Sequence, residues 1–154
     1  MERTGFDASS GGYAGLRILR MHPQKATGAL AAFYEKIHIW YPILPLGFPE
    51  QYFHILSGTL ATYAELCLAL LVAAVGCVVQ DEERRSRGEL DERSDLVSFE
   101  AALAYLPIVI SECSLVSVQC ALLFAIYYCS LMKPCQAHDY SLIASFKVQN
   151  WLKR

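Results

Sequence analysis

The chain has 154 residues, 55% hydrophobic and only 18% charged, with a mean hydropathy of +0.30 and a formal net charge of −2. That length suits one domain able to bury roughly two-thirds of its unfolded surface. Thirteen basic residues against fifteen acidic ones create no positive field, which argues against nucleic-acid binding by this chain on its own.

Residues 1–27 combine Ser9-Ser10-Gly11-Gly12 with scattered charge and few apolar residues, and read as a flexible leader. Arg3, Arg17 and Arg20 are too sparse, and Glu2 and Asp7 too disruptive, for a mitochondrial presequence. From Leu30, the residues Phe33, Tyr34, Ile37 and Tyr41 keep one helical face until Pro42 and Pro45 end it. The aromatic and proline-containing stretch from Gly47 to His54 reads as a loop packed on the core. A helix is expected from about Leu60 to Gln80; its uncharged part, Leu66 to Val79, is shorter than the ~20 residues a bilayer span needs.

Residues 81–94 place ten charges in fourteen positions with both signs mixed, the pattern of a solvated surface loop. Arg84, Arg85 and Arg87 there also allow a nuclear-localisation reading, opposed by six acidic neighbours. Ser94 or Asp95 can cap the next helix, which carries Phe99, Leu103 and Leu106 on one face up to Pro107. Cys113 to Met132 is then free of charge over twenty residues, with Ser114 as candidate N-cap and a small stripe of Ser117, Ala121 and Ala125 open to a close neighbour. Pro134 breaks that helix. Beyond it Ala137, Tyr140, Ala144, Val148 and Trp151 mark an apolar face, with His138, Asp139, Lys147 and Lys153 elsewhere around the axis. A buried helix turning into an amphipathic one is an αα-hairpin. The expected fold is all-α, about five helices in antiparallel hairpins.

The six cysteines, at 67, 77, 113, 120, 129 and 135, lie in apolar helical runs and read as reduced, buried thiols; no CxxC pair offers a zinc site. Glu35-x-x-His38 has the spacing of a di-iron ligand pair but lacks a second copy, so His38 reads as a packing or capping residue. His138-Asp139 is no half-triad, because adjacent helical residues point about 100° apart. Without a nucleophile elbow or phosphate-binding loop, the chain reads as a non-enzyme with no catalytic, cofactor or metal site.

Three segments together resemble a known family. They are FYEKIHIWYPILP (residues 33–45), FEAALAYLP (residues 99–107) and SLVSVQCALLFAIYYCSLMKPCQAHDYSLIASFKVQNWLKR (residues 114–154). In that order they resemble the middle homology region of fungal transcription factors, the regulatory domain that follows a six-cysteine binuclear zinc cluster. The residues carrying the resemblance are Trp40, Pro42, Ser114, Ser117, Gln119, Tyr127, Tyr128, Pro134, Cys135, Gln136, Tyr140, Ser145 and Gln149. His138 stands where an aromatic is usual, and Lys133 where arginine is frequent.

The resemblance implies that residues 28–154 are part of a larger all-helical regulatory domain. The chain would be a fragment or truncated homologue of a nuclear zinc-cluster factor, with DNA and zinc bound only through a cluster outside it. Its partners would be other parts of the full-length factor, co-regulator proteins or a small inducer. Two other expectations stand beside it. One is a small membrane protein spanning near 58–80 and 113–132, which Glu65, Gln119 and an even distribution of positive charge disfavour. The other is a free-standing helical interaction module.

Overall fold

The computed structural model describes residues 23–58, 61–88 and 95–153. Seven α-helices and one π-helical turn, with no strand among the described residues, make the fold all-α. They are α1 (Pro23–Phe33), continuing through the π-helical turn Tyr34–His38; α2 (Phe48–Leu56); α3 (Tyr63–Ser86); α4 (Asp95–Ala104); α5 (Leu106–Ser111); α6 (Leu115–Ser130); and α7 (Pro134–Leu152).

The central element is α3. Helices α1, α4 and α6 pack around it, with smaller contacts from α2 and α5, while α7 packs on α6 as the second arm of a hairpin. Leu70, Leu71, Val72 and Val75 are fully buried, which explains why the uncharged part of α3 shows no polar face. Its length and composition would suffice to cross a membrane, yet two-thirds of its most apolar stretch is buried by the rest of the chain. Helix α6, with 16 residues, is shorter than a bilayer span.

Several boundaries differ from expectation. Residues 23–27, expected in the leader, begin α1, because Pro23 suits a first turn and Ala26 is already buried in the core. Residues 1–22 lie outside the described residues. The stretch read as a loop from Gly47 to His54 contains most of α2. Gly47 enters it at φ +81°, Pro49 occupies the first turn, and the buried Tyr52 hydroxyl donates to Ala26 O at 3.0 Å. Helix α3 starts after Thr62, whose hydroxyl accepts from the Glu65 N–H while the Glu65 carboxylate accepts from the Thr62 N–H, each at 3.2 Å. It then runs through residues 81–86 of the expected loop. Asp81 is buried and only the turns beyond it face solvent, so six charged-segment residues extend the helix; residues 89–94 lie outside the described residues.

Pro107 does not end the helical path. It sits in the first turn of α5, after a one-residue break at Tyr105, where its missing N–H costs no helical bond. The final hairpin turns at Met132, which adopts φ +58°, while the Lys133 N–H donates to Tyr128 O at 2.9 Å.

Candidate functional site

The motif residues assemble where α6 begins, where it crosses α4, and along α7. Ser114 caps α6: its Oγ accepts from the Ser117 N–H at 3.2 Å, and its own N–H donates to Ser117 Oγ at 3.3 Å. Ser117 is fully buried, and its hydroxyl lies 2.7 Å from Ser114 O and 3.0 Å from Glu112 O, either of which can take its single hydrogen. Two residues on, the Gln119 Nε2 amide donates to Ile43 O at 2.8 Å. That bond fastens the segment after the π-helical turn to α6. The same segment is pinned from the other side by Ile37 O, which accepts from the N–H groups of Trp40 and Tyr41 at 3.0 and 2.9 Å.

A fixed backbone therefore presents exposed aromatic side chains. Trp40 is 77% exposed, and Ile39, Tyr41 and Pro42 are exposed beside it. The helix expected through Tyr41 becomes a π-helical turn over Tyr34–His38 and closes in a turn whose N–H groups at Trp40 and Tyr41 still reach back to Ile37 O. His38 packs its ring on Tyr34, with centroids 4.6 Å apart, and its buried Nδ1 has no hydrogen-bond partner.

The second group is aromatic. Tyr127 stacks on Phe99 with centroids 3.9 Å apart and planes 11° apart, and its hydroxyl donates to Asp95 Oδ2 at 2.7 Å. Asp95 opens α4 and is buried. Tyr128 stacks on Tyr140 of α7 at 5.4 Å, and Tyr140 stacks on Phe124 at 5.0 Å, so the rings continue across the hairpin. The stripe Ser117, Ala121 and Ala125 is buried as expected.

Helix α7 meets α6 through Ala137 and Ala144, which are buried, and Tyr140, which is half-buried. Val148 and Trp151, expected on the same face, are only partly covered, and Lys147, expected elsewhere, is buried. The seam follows 137, 140, 144 and 147, and at its end the ammonium of Lys147 meets polar groups. Two carbonyls stand there: Lys147 Nζ donates to Ile110 O at 2.6 Å and Glu112 O at 2.8 Å, at the C-terminal end of α5. Burial lowers the pKa of this ammonium, with the carboxylate of Glu112 acting in the opposite direction. Opposite the seam α7 exposes Leu142 and Phe146, and Leu152 is exposed at its end. Pro134 occupies the first turn of α7; Cys135, Gln136, Ser145 and Gln149 are exposed along it.

The thiols divide in two. Cys67, Cys77 and Cys120 are buried and Cys113 is half-buried, but Cys129 and Cys135 are exposed at the hairpin turn, contrary to the expectation that all six are buried. Cys67 Sγ lies 3.6 Å from Ala102 O, and Cys120 Sγ lies 3.3 Å from Ala64 O. A hydrogen bond with Cys67, then burial, pushes the Cys120 thiol far up, so it stays protonated. Among the described residues no three His, Cys, Asp or Glu side chains come together as a metal site.

Asp95 carried no motif signal, and Lys147, which lies in the resembling segment 114–154, gave no sign that it would be buried beyond its seam position on α7. The Asp95 partner was not legible, because 32 residues separate it from Tyr127.

Residues 30–148 match the fungal specific transcription factor domain family. A curated protein of Aspergillus rugulosus named "Putative transcription factor ecdB" is 53% identical over 137 residues, which cover 89% of this chain and 23% of that protein. The chain thus spans less than a quarter of this relative's length. No solved structure matches it. With the family matched over most of its length, and the matched segment containing the π-helical turn, the Ser114 cap and the α6–α7 hairpin, the chain belongs to the fungal specific transcription factor domain family.

Proposed function

We propose that this chain acts as a regulatory region in the control of transcription in the nucleus, working by contact with other protein and not by catalysis. The single observation that supports this most is a pair of exposed apolar features on a well-packed helical body. One is the Trp40 knuckle, held by Gln119 and Ile37; the other is the outer face of α7 with Leu142 and Phe146. Exposed aromatic residues on a rigid backbone are strong anchors for protein contacts, because little conformational entropy is lost on docking. Their partners are other parts of a longer family protein or a co-regulator, and a small inducer is a further candidate. DNA and zinc are left to a cluster outside this chain.

A reporter assay tests the reading. The chain is fused to an unrelated DNA-binding domain, and transcription from a matching promoter is compared with that of the DNA-binding domain alone. The fusion should change output. Trp40→Ser and Phe146→Glu should each reduce that change while leaving the melting temperature of the purified chain intact. An inert fusion, or variants that act only by unfolding the chain, would refute it.

A further inference from the structure

We propose that Ser86 is a phosphorylation site for an arginine-directed serine kinase, and that its phosphate acts on the Lys36–Glu83 ion pair. The modification site is independent of the regulatory reading above, and only its consequence reaches the Trp40 knuckle described there.

Ser86 is the last residue of α3 and is exposed, and Arg84 and Arg85 immediately precede it. Arginine two residues before a serine, the place Arg84 holds, is one of the charge positions by which such kinases select substrates, while Glu83 stands three residues before it. The hydroxyl is tied to the fold only locally, by donation to Glu83 O at 2.6 Å. No residue of α3 after Asp81 is fully buried, so unwinding the last turn to fit an extended-substrate groove uncovers no core, although it releases the half-buried Arg84 from its contacts. Gly88, at φ +78° with open space around it, already turns the chain away from the helix.

The neighbourhood gives the phosphate a consequence. Ser86 and Glu83 line one side of a cleft of about 470 Å³, with Lys36 and Ile37 on the other. Lys36 Nζ lies 3.4 Å from Glu83 Oε1 across it. In the transfer, Ser86 Oγ bonds to the γ-phosphorus of ATP as the bond to the β,γ-bridging oxygen breaks. ADP leaves, and the hydroxyl proton passes to the kinase base. The product carries nearly two negative charges at a helix C-terminus, flanked in sequence by Arg85 and Arg87, which compete with Lys36 for them, and near Glu82 and Glu83, where the helix dipole also opposes them. The last turn of α3 loosens and Lys36 exchanges Glu83 for the phosphate. Lys36 belongs to the π-helical turn that leads into Trp40, so the charge at Ser86 reaches the exposed knuckle through one side chain.

The purified chain is incubated with ATP and the catalytic subunit of a cyclic-AMP-dependent protein kinase, then read by intact mass, fragment mapping and hydrogen exchange. One phosphate on Ser86 is expected, lost in Ser86→Ala and strongly reduced in an Arg84→Gln, Arg85→Gln double variant. Amide exchange in residues 34–41 and 82–88 should quicken, with α6 unchanged. Lys36→Met should abolish the response of residues 34–41 and preserve that of residues 82–88. No incorporation, incorporation at Ser94 in place of Ser86, or incorporation only into a synthetic peptide of residues 80–90 overturns the assignment. A phosphate on Ser86 that leaves residues 34–41 unchanged overturns the coupling to Lys36.

Discussion

The Tyr127 hydroxyl donates to Asp95 Oδ2 at 2.7 Å in the interior, joining the last turn of α6 to the first residue of α4. Both residues are almost completely buried. Tyr127→Phe keeps the stack on Phe99 but removes a donor from a buried carboxyl group. The expected cost is about 1–3 kcal/mol, read from the midpoint of urea unfolding. Phe99→Leu should cost a comparable amount through the stacking contact instead.

Lys147 tests a second polar fastening. Lys147→Met retains a buried aliphatic stem and loses the bonds to Ile110 O and Glu112 O. Two carbonyls at the end of α5 then lack that donor, and a loss of about 1–3 kcal/mol is expected. Lys147→Arg should recover only part of it, since a planar guanidinium must replace a compact ammonium. Thermal melts of the three proteins side by side decide this.

Gly76 fixes how closely α1 and α3 approach. A Cβ there would collide with Ala29 O and its neighbouring backbone, which cannot swing aside as a side chain would. Gly76→Ala should destabilise the fold by about 1–3 kcal/mol or more, although alanine is the better helix former. Gly28→Ala meets only the flexible end of the Gln80 side chain and should be much milder. Chemical denaturation of both variants provides the comparison.

Alkaline pH should destabilise the protein. Burial raises the Tyr52 phenol above its ordinary 10.0, and the hydrogen bond with Cys67 together with burial raises the Cys120 thiol above its ordinary 9.0. The folded chain keeps these protons where the unfolded chain releases them, so their contribution is complete below about pH 9 and declines as pH rises. Lys147 has the opposite sign, because its lowered pKa favours the folded state as pH approaches 10.5. Burial also raises the Tyr34, Tyr105 and Tyr140 phenols, so the raised groups stand against a single lowered one, and the melting temperature should fall between pH 9 and 11. Cys120→Ser should flatten the lower part of that decline.

Gln119→Leu should release the segment carrying Trp40 without unfolding the body. The amide bond to Ile43 O is lost, while α6 keeps its cap and its aromatic stack. Faster amide exchange in residues 40–44, with unchanged exchange in α3, is the expected signature.

Much of this architecture was legible in order of residues alone. The Ser114 cap, the stop at Pro134 and the uncharged run between them are local events, governed by hydroxyl placement, a missing N–H and the absence of charge. The small stripe Ser117, Ala121 and Ala125 was legible for the same reason, since i, i+4 spacing alone puts it on one side of α6. The aromatic and proline-containing segment at Gly47 misled, because its helix depends on Tyr52 reaching Ala26, a partner 26 residues away. The charged run after Gln80 misled in the same way: with Asp81 buried against the body, charge density no longer marked the end of α3.

The sequence by itself determined an all-helical chain, its main helix starts and stops, and its family, because caps, breakers and periodicity act within a few residues. Only the tertiary structure decided which polar groups became interior fastenings and which aromatics stayed outside. Lys147 is buried because two carbonyl oxygens of another element meet it, and Trp40 is exposed because Gln119 and Ile37 hold its backbone at the surface. Both outcomes depend on groups brought together from distant positions, where desolvation and hydrogen bonding are settled only once the helices have packed.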